Sequence, residues 1–225
     1  MCYSVLVEQD LRRLAKDFDA IIDEAAFKAY AELQTQDPKR FRPLASNPRI
    51  YPQYFAPILV SEGKQRLLRP MRYRVRPAGS AVEVPSKYNL FNARLDSLEK
   101  RATWSQLFGH RHGILVARAF FEWVTREEKK QVIAFQAREQ ELLPIPVLFD
   151  RWSAPDGQIS FDSFALITGE PPEEVLAAGH DRCPLVLPPE AYETWLHPEA
   201  SSKRALKSLL AHPLALSFTH ELATP

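Results

Sequence analysis

Apolar positions along this chain follow two rhythms, and the change comes near residue 57. Before it, Leu11, Leu14, Phe18, Ile21, Ile22 and Ala25 recur at helical spacing, with Phe27, Tyr30 and Leu33 beyond. That pattern predicts one or two helices from about Asp10 to Leu33, with Asp23 as an N-cap. Cys2–Val7 reads as a short strand, and residues 37–57, rich in Pro, Asn, Arg and Tyr, read as irregular. After it, apolar runs bounded by turn residues predict strands at Ile58–Ser61, Gln65–Met71, Tyr73–Val75, Gly113–Trp123, Gln131–Gln136, Ile145–Trp152 and Phe161–Thr168. Helical spacing returns at about Glu173–Ala178, Pro189–Trp195 and Ser201–Leu210. No repeat, low-complexity tract or long linker divides the chain. The expected fold is α+β, one domain over residues 1–225, with a curved, barrel-like antiparallel sheet flanked by helices and a helical acidic segment at about 8–37.

Composition narrows the function classes. The 225 residues are 45% hydrophobic and 25% charged, ordinary for a globular domain with ample core. Nineteen prolines against seven glycines favour short strands and rigid loops. No apolar run approaches the roughly 18 residues of a membrane span, and no basic stretch leads into an apolar one at the N-terminus. Two distant cysteines, Cys2 and Cys183, make no disulfide framework. A reduced, cytoplasmic protein is expected. The net charge of +1 excludes a globally basic nucleic-acid binder, but the charge is uneven. Residues 1–37 carry eight acidic and four basic side chains, so the surplus of positive charge lies later in the chain.

Two local features carry candidate chemistry. Met1-Cys2 opens the chain, and Cys2 is small enough for aminopeptidases to remove Met1. A chain beginning at Cys2 carries an amine and a thiol on adjacent carbons, titrating at roughly 7.7–8.0 and about 8.5. Such a 1,2-aminothiol can serve as a nucleophile or condense with an aldehyde into a five-membered thiazolidine. The alternative is that Cys2 simply fills a small apolar site in a first strand. Second, Lys64, Arg66, Arg69, Arg72, Arg74 and Arg76 fall within thirteen residues. Strand alternation would place Arg72, Arg74 and Arg76 on one face, about 6.5–7 Å apart, close to the phosphate spacing of an extended nucleic-acid strand. The alternative there is a solvated sheet face paired with acidic neighbours.

Four segments then stand out in order: Met1-Cys2-Tyr3-Ser4, Asn92-Ala93-Arg94, Phe120-Phe121-Glu122-Trp123, and Gly179-His180-Asp181-Arg182-Cys183-Pro184. Together they resemble the SRAP family (SOS response-associated peptidase), the abasic-site-processing proteins, whose pattern is Met-Cys, Asn-Ala-Arg, Phe-Tyr-Glu-Trp and His-Asp-Arg-x-Pro. The resemblance runs from Cys2 to about Trp195. It implies a single α+β domain around a barrel-like sheet. It also implies a sensor of abasic sites in single-stranded DNA, acting in the DNA damage response. Its N-terminal cysteine couples to the lesion's aldehyde as a thiazolidine once Met1 is lost, in a proposed autoproteolytic step.

On that reading Cys2 supplies amine and thiol. Glu122, among aromatic neighbours, is an acid/base of raised pKa. His180 is the second acid/base, and Asn92 holds the sugar or the amine. Arg94 and Arg182 clamp phosphates, although Arg182 can equally pair with Asp181. Cys183 only packs. The expected partner is single-stranded DNA containing abasic sites, bound by a monomer, with no membrane, no metal and no cofactor.

Two departures from the family pattern have consequences. Members often continue Met-Cys-Gly-Arg, where the Arg meets DNA; Tyr3-Ser4 stand here, so that contact is either lost or replaced by the Arg72–Arg76 stripe. Many carry a Trp-Gly-x-x-Pro-x-Trp-like segment before Asn-Ala-Arg. Tyr73–Gly79 aligns there without tryptophan, so base stacking is either weaker or moves to Tyr73 or Tyr88. Two other classes stay open: an N-terminal-nucleophile cysteine peptidase or amidohydrolase using Cys2, Glu122 and His180, and a non-catalytic module binding single-stranded nucleic acid.

Overall fold

The computed structural model describes residues 3–42, 48–126 and 128–224. The elements run β1 (Ser4–Val7), α1 (Leu11–Asp17), β2 (Ile21–Ile22), α2 (Glu24–Gln36), β3 (Arg49–Ile50), β4 (Phe55–Glu62), β5 (Gln65–Tyr73) and β6 (Asn92–Arg94). Then follow α3 (Ala102–Ser105), β7 (His112–Arg126), β8 (Lys129–Ala137), β9 (Leu143–Ser153), β10 (Ser160–Gly169) and α4 (Glu173–Ala177). The chain ends with β11 (Cys183–Pro184), α5 (Tyr192–Leu196), α6 (Lys203–Leu210) and β12 (Phe218–Ala223). Among the described residues, no helix is long and apolar enough to cross a membrane.

Five strands close into a ring: β4, β5, β10, β9, β7 and back to β4. Four seams are antiparallel. The β5–β10 seam is parallel, with Ser163 opposite Arg72 and Phe164 opposite Tyr73. The barrel therefore matches the expected architecture, while its sheet is mixed rather than wholly antiparallel.

Alternation along β4 shows why the barrel strands read as continuous apolar runs. Ala56, Ile58 and Val60 join Met71, Leu115, Ile145, Val147 and Phe164 in one cluster. Leu59 joins Leu68, Ile114 and Leu148 in another, with Leu14, Trp104, Trp195 and Leu206 from the helices. One face of each strand fills the barrel and the other is roofed by α1, α3, α5 and α6. With both faces covered, most positions on either are apolar. His112 is held in the roof between Phe108 and Trp195, its ring stacked 3.8 Å from the indole. It accepts from the Gly109 amide and donates to the Trp195 carbonyl. Burial drives its pKa down to about 3, so it stays neutral and structural.

Local expectations are refined or changed. The run from Asp10 takes its two-helix form, α1 and α2, because Ile21 and Ile22 between them pair in parallel with Leu67 and Leu68 of β5. Each helix carries its own cap: Asp10 accepts from the Arg12 and Arg13 amides, and Asp23 from the Ala26 amide. Tyr73–Val75 is not a separate strand. β5 runs unbroken to Tyr73, and Arg74 then turns the chain with φ 89°. The prolines do not keep strands short either, since β7 has 15 residues and β9 has 11. Pro57 and Pro70 sit opposite one another in β4 and β5. β12, unforeseen, extends the sheet by pairing with β8.

At Gly113 on β7 a Cβ would lie 2.8 Å from Ile58 Cγ2 and 3.0 Å from the Leu59 carbonyl oxygen. The oxygen belongs to a barrel strand and has little room to yield. Gly113→Ala is expected to destabilise the fold by about 1–3 kcal/mol through overpacking, read as a lower urea midpoint at unchanged m-value. Gly157→Ser, at a turn where nothing lies within 4 Å of the added Cβ, serves as the comparison, with a smaller loss arising from its positive φ alone.

Candidate active site

β7 brings the central carboxylate into place by serving two sheets. Its first half, His112–Ala117, pairs with β9 and contacts β4 in the barrel. Its second half leaves the ring and pairs with β1 and β8, placing Phe121 opposite Ser4 and Glu122 opposite Ile133. Glu122 and Val124 face the core, while Phe121 and Trp123 take the other side. Glu122 is 1% exposed.

His180 arrives from the turn after α4. Gly179, with φ 101°, reverses the chain where an L-residue would be strained, and its Cα faces Val124. The His180 Nε2 then lies 3.1 Å from Glu122 Oε2. Its Nδ1–H donates to the Arg182 carbonyl at 2.9 Å, which leaves Nε2 as the acceptor. Burial pushes the Glu122 carboxyl up to about 8, and the nearby Asp181 charge adds to the rise. Burial also lowers the His180 pKa. Both shifts favour the same state: a protonated Glu122 donating to a neutral His180 imidazole. Such a pair can give a proton to a leaving oxygen and recover one at little electrostatic cost.

β10 gathers the other two segments at its C-terminal end. On one side β6 pairs in parallel, with Arg94 opposite Thr168. On the other β11 pairs antiparallel, with Pro184 opposite the same Thr168. Asn92 is buried on β6, and the Asn89 side chain presets it by accepting from the Phe91 and Asn92 amides. The polar Asn89 side chain within a turn is a local signal for this role that the sequence reading did not use.

Asn92 and Arg94 border a cleft of about 650 Å³, which Lys87, Tyr88, Arg101 and Thr103 also line. Arg94 is half-exposed and pairs with Asp96 at 2.6 Å. Arg182 and Arg94 share a second cleft of about 370 Å³, and among the described residues Arg182 makes no ion pair with Asp181. Cys183 is buried beside Glu122, and burial raises its thiol far out of the reactive range.

The remaining expected residues are placed differently. Cys2 lies outside the described residues. Tyr3 donates its amide to the Phe121 carbonyl at 3.4 Å, one residue from Glu122. Arg72, Arg74 and Arg76 do not form an open row: they are 2%, 4% and 5% exposed. Arg74's positive φ breaks the strand alternation that would have kept the guanidiniums apart. All three converge on Glu83 instead, a residue in an irregular stretch that no periodicity marked. Tyr73 is fully buried, stacked on Phe164 with ring centroids 5.2 Å apart, so it offers no face to a base. Tyr88 remains exposed.

The profile of the SOS response associated peptidase (SRAP) family matches residues 1–221. The chain belongs to the SRAP family. Among curated relatives, it is 25% identical over 153 residues to the abasic site processing protein YobE of Bacillus subtilis, covering 68% of each chain. It is 29% identical over 203 residues to the abasic site processing protein HMCES of Xenopus tropicalis, covering 77% of this chain and 60% of that one. A solved structure from Bacteroides thetaiotaomicron superposes with a TM-score of 0.76 at 17% identity, covering 99% of this SRAP chain and 92% of that chain. One from Bordetella bronchiseptica gives 0.72 at 20% identity over the whole of both chains. These two likenesses establish the shared fold.

The Glu122 shift predicts a pH signature. The unfolded carboxyl loses its proton near 4.5, while the folded one keeps it to about 8. Between those values the folded state binds more protons, so this group's contribution to stability falls as pH rises. Glu122→Gln removes the titration. In urea unfolding from pH 5 to 8, the stability of wild type is expected to fall relative to Glu122→Gln by up to about 1.4 kcal/mol per pH unit. Parallel curves for the two proteins would rule out the buried, protonated carboxyl.

Proposed function

We propose that this SRAP protein processes abasic sites in single-stranded DNA by forming a covalent thiazolidine through Cys2, after Met1 is removed. The observation that carries the reading is the buried Glu122–His180 pair, 3.1 Å apart, beside the strand that leads out of Cys2. Tyr3, the residue after Cys2 in the sequence, donates its amide to the carbonyl of Phe121, the residue preceding Glu122. Relatives named as abasic site processing proteins support the same direction.

The chemistry balances without a cofactor. The ring-opened deoxyribose of an abasic site exposes an aldehyde carbon. The Cys2 amine adds to it, and the resulting carbinolamine loses water as the C=N bond forms. Glu122 gives the proton that leaves with the hydroxyl and regains the one the nitrogen releases as the imine forms. The thiol then adds to the imine carbon, and its proton passes through the Glu122–His180 pair to nitrogen. One C–N bond and one C–S bond form, and one water is released. Asn92, buried at the edge of the 650 Å³ cleft, is suited to hold the sugar hydroxyls. Arg94 and Arg182, on the two clefts, are suited to the flanking phosphates. The protein acts as a monomer in this scheme, and loss of Met1 precedes everything else, because an amide-linked nitrogen cannot form the imine.

Incubation with a single-stranded oligonucleotide carrying one abasic site is expected to give a heat-stable species, one water lighter than protein minus Met1 plus DNA. Cys2→Ala abolishes it; equal yields from wild type and Cys2→Ala would sink the proposal. At pH 7, Glu122→Gln is expected to slow crosslinking about 100-fold, within the range of general acid catalysis. The rate has two limbs. The amine must be unprotonated, which favours pH above about 8, and Glu122 must be protonated, which favours pH below about 8. The wild-type profile is therefore bell-shaped near pH 8, and the alkaline fall is lost in Glu122→Gln.

A further inference from the structure

The arginine cluster on the loop side of the barrel carries more positive charge than its partner cancels. Arg72 donates to both Glu83 carboxylate oxygens, at 3.0 and 2.9 Å. Arg74 reaches Oε1 at 3.4 Å, and Arg76 stands 3.7 Å from Oε2. Among the described residues no other carboxylate is ion-paired with the three, so three guanidiniums share one negative charge. Arg40 adds to the surplus: it and Arg76 flank Trp152, with Arg76 only 3.4 Å from the ring centroid. Taking each charge from water costs several kcal/mol, and one carboxylate offsets only part of this. The Nε–H groups of Arg72 and Arg76 are also buried without a hydrogen-bond partner, at about 1–3 kcal/mol each. Arg74 holds a positive φ besides. A purely structural ion pair needs none of these costs.

Glu83 reaches the cluster from residues 77–91, which form no helix or strand and leave the neighbouring Val82 largely exposed. Burial raises the Glu83 carboxyl, but the hydrogen bonds from Arg72 and the charge of all three arginines outweigh it, so it stays ionised. We propose that Arg72, Arg74 and Arg76 form a phosphate site and that Glu83 is its built-in occupant, displaced when a phosphate of bound single-stranded DNA takes its place. A phosphodiester brings the same single charge and a similar pair of acceptor oxygens, and its further lone pairs suit the Nε–H groups that the carboxylate leaves unmet. The exchange moves Glu83 into water, where its charge is solvated. The same loop continues into Lys87, Tyr88 and Asn89 on the wall of the Asn92 cleft, so occupancy of the arginine site reshapes the wall beside the reacting sugar. The choice of DNA as the phosphate source rests on the function proposed above.

The test uses undamaged, fluorescein-labelled single-stranded DNA and the full chain in a Cys2→Ala background, read by anisotropy at several salt concentrations. Glu83→Gln is expected to tighten Kd about tenfold and to steepen the salt dependence of log K by about 0.7, one further phosphate contact on a single strand. Glu83→Gln combined with Arg74→Gln returns both to wild-type values. Unchanged or weaker binding by Glu83→Gln overturns the proposal. If that variant does not fold, Glu83→Asp, which keeps the charge and shortens its reach, should tighten binding in the same direction by a smaller factor; no tightening there overturns it equally. Because no crosslink forms in this assay, its outcome is independent of the Cys2 chemistry. Loss of crosslinking with the Glu83 effect intact strikes only that chemistry, and the reverse result strikes only the arginine site.

Discussion

β7 must satisfy a barrel at one end and an outer sheet at the other, and the site depends on how it does so. Between Ala117 and Phe120 the strand exchanges β9 for β8 as its partner. β1 shifts register by a residue between Leu6 and Val7 to follow it. Because side chains alternate, the register of the outer half decides whether residue 122 points to core or to solvent. The core is what raises its pKa. A one-residue slip would put Phe121 inside and leave Glu122 an ordinary surface carboxylate. The raised pKa is thus a consequence of strand pairing. No neighbouring charge would substitute for it, since burial is the largest influence on this group.

The molecule buries charge in two opposite ways. At Glu122 and His180 burial is relieved by neutrality: the acid keeps its proton, the imidazole lacks one, and little charge is left to desolvate. At Arg72, Arg74 and Arg76 that route is closed, since guanidinium does not release its proton in this pH range. The cluster can be relieved only by an anion, and Glu83 supplies one. The first arrangement suits proton transfer, where the two forms must lie close in energy. The second suits binding, where a fixed charge waits for a partner.

Much of the fold was legible because both faces of the barrel strands are covered. Runs such as Ile58–Ser61 and Gly113–Trp123 announce themselves because apolar residues hold most positions on both faces, with Arg118 and Glu122 the interruptions in the second. Asp23 was legible as a cap because capping is local. Ile21–Ile22 was not, since its helical spacing was overridden by pairing with Leu67 and Leu68, more than forty residues away in the chain. The site residues were legible from the motif resemblance. How their segments come together was not: Glu122 meets His180 across the core, and the strand that holds Asn92 and the strand that follows His180 come together only because Thr168 of β10 pairs with Arg94 on one side and Pro184 on the other. The arginine row failed as a surface reading for a backbone reason. Spacing of two implies one open face only while φ stays extended, and Arg74 leaves that region.

The same turn explains how this chain can lack tryptophan before Asn92-Ala93-Arg94. An aromatic platform binds a base through a face that must stay exposed, and Tyr73, the residue aligned there, has given its face to Phe164. What the segment offers instead is charge, already folded inward. The exposed aromatic ring is that of Tyr88, with Lys87 in cation–π contact 5.2 Å from its centroid, on the same loop that carries Glu83. Basic and aromatic contacts are therefore coupled through one irregular segment. A strand that engages the arginines must first move the loop whose far end presents the tyrosine. An exposed tryptophan on a strand would bind its base without that coupling. On the proposed reading, engaging the backbone and stacking a base would be a single event in this SRAP protein, because one stretch of chain holds both Glu83 and Tyr88.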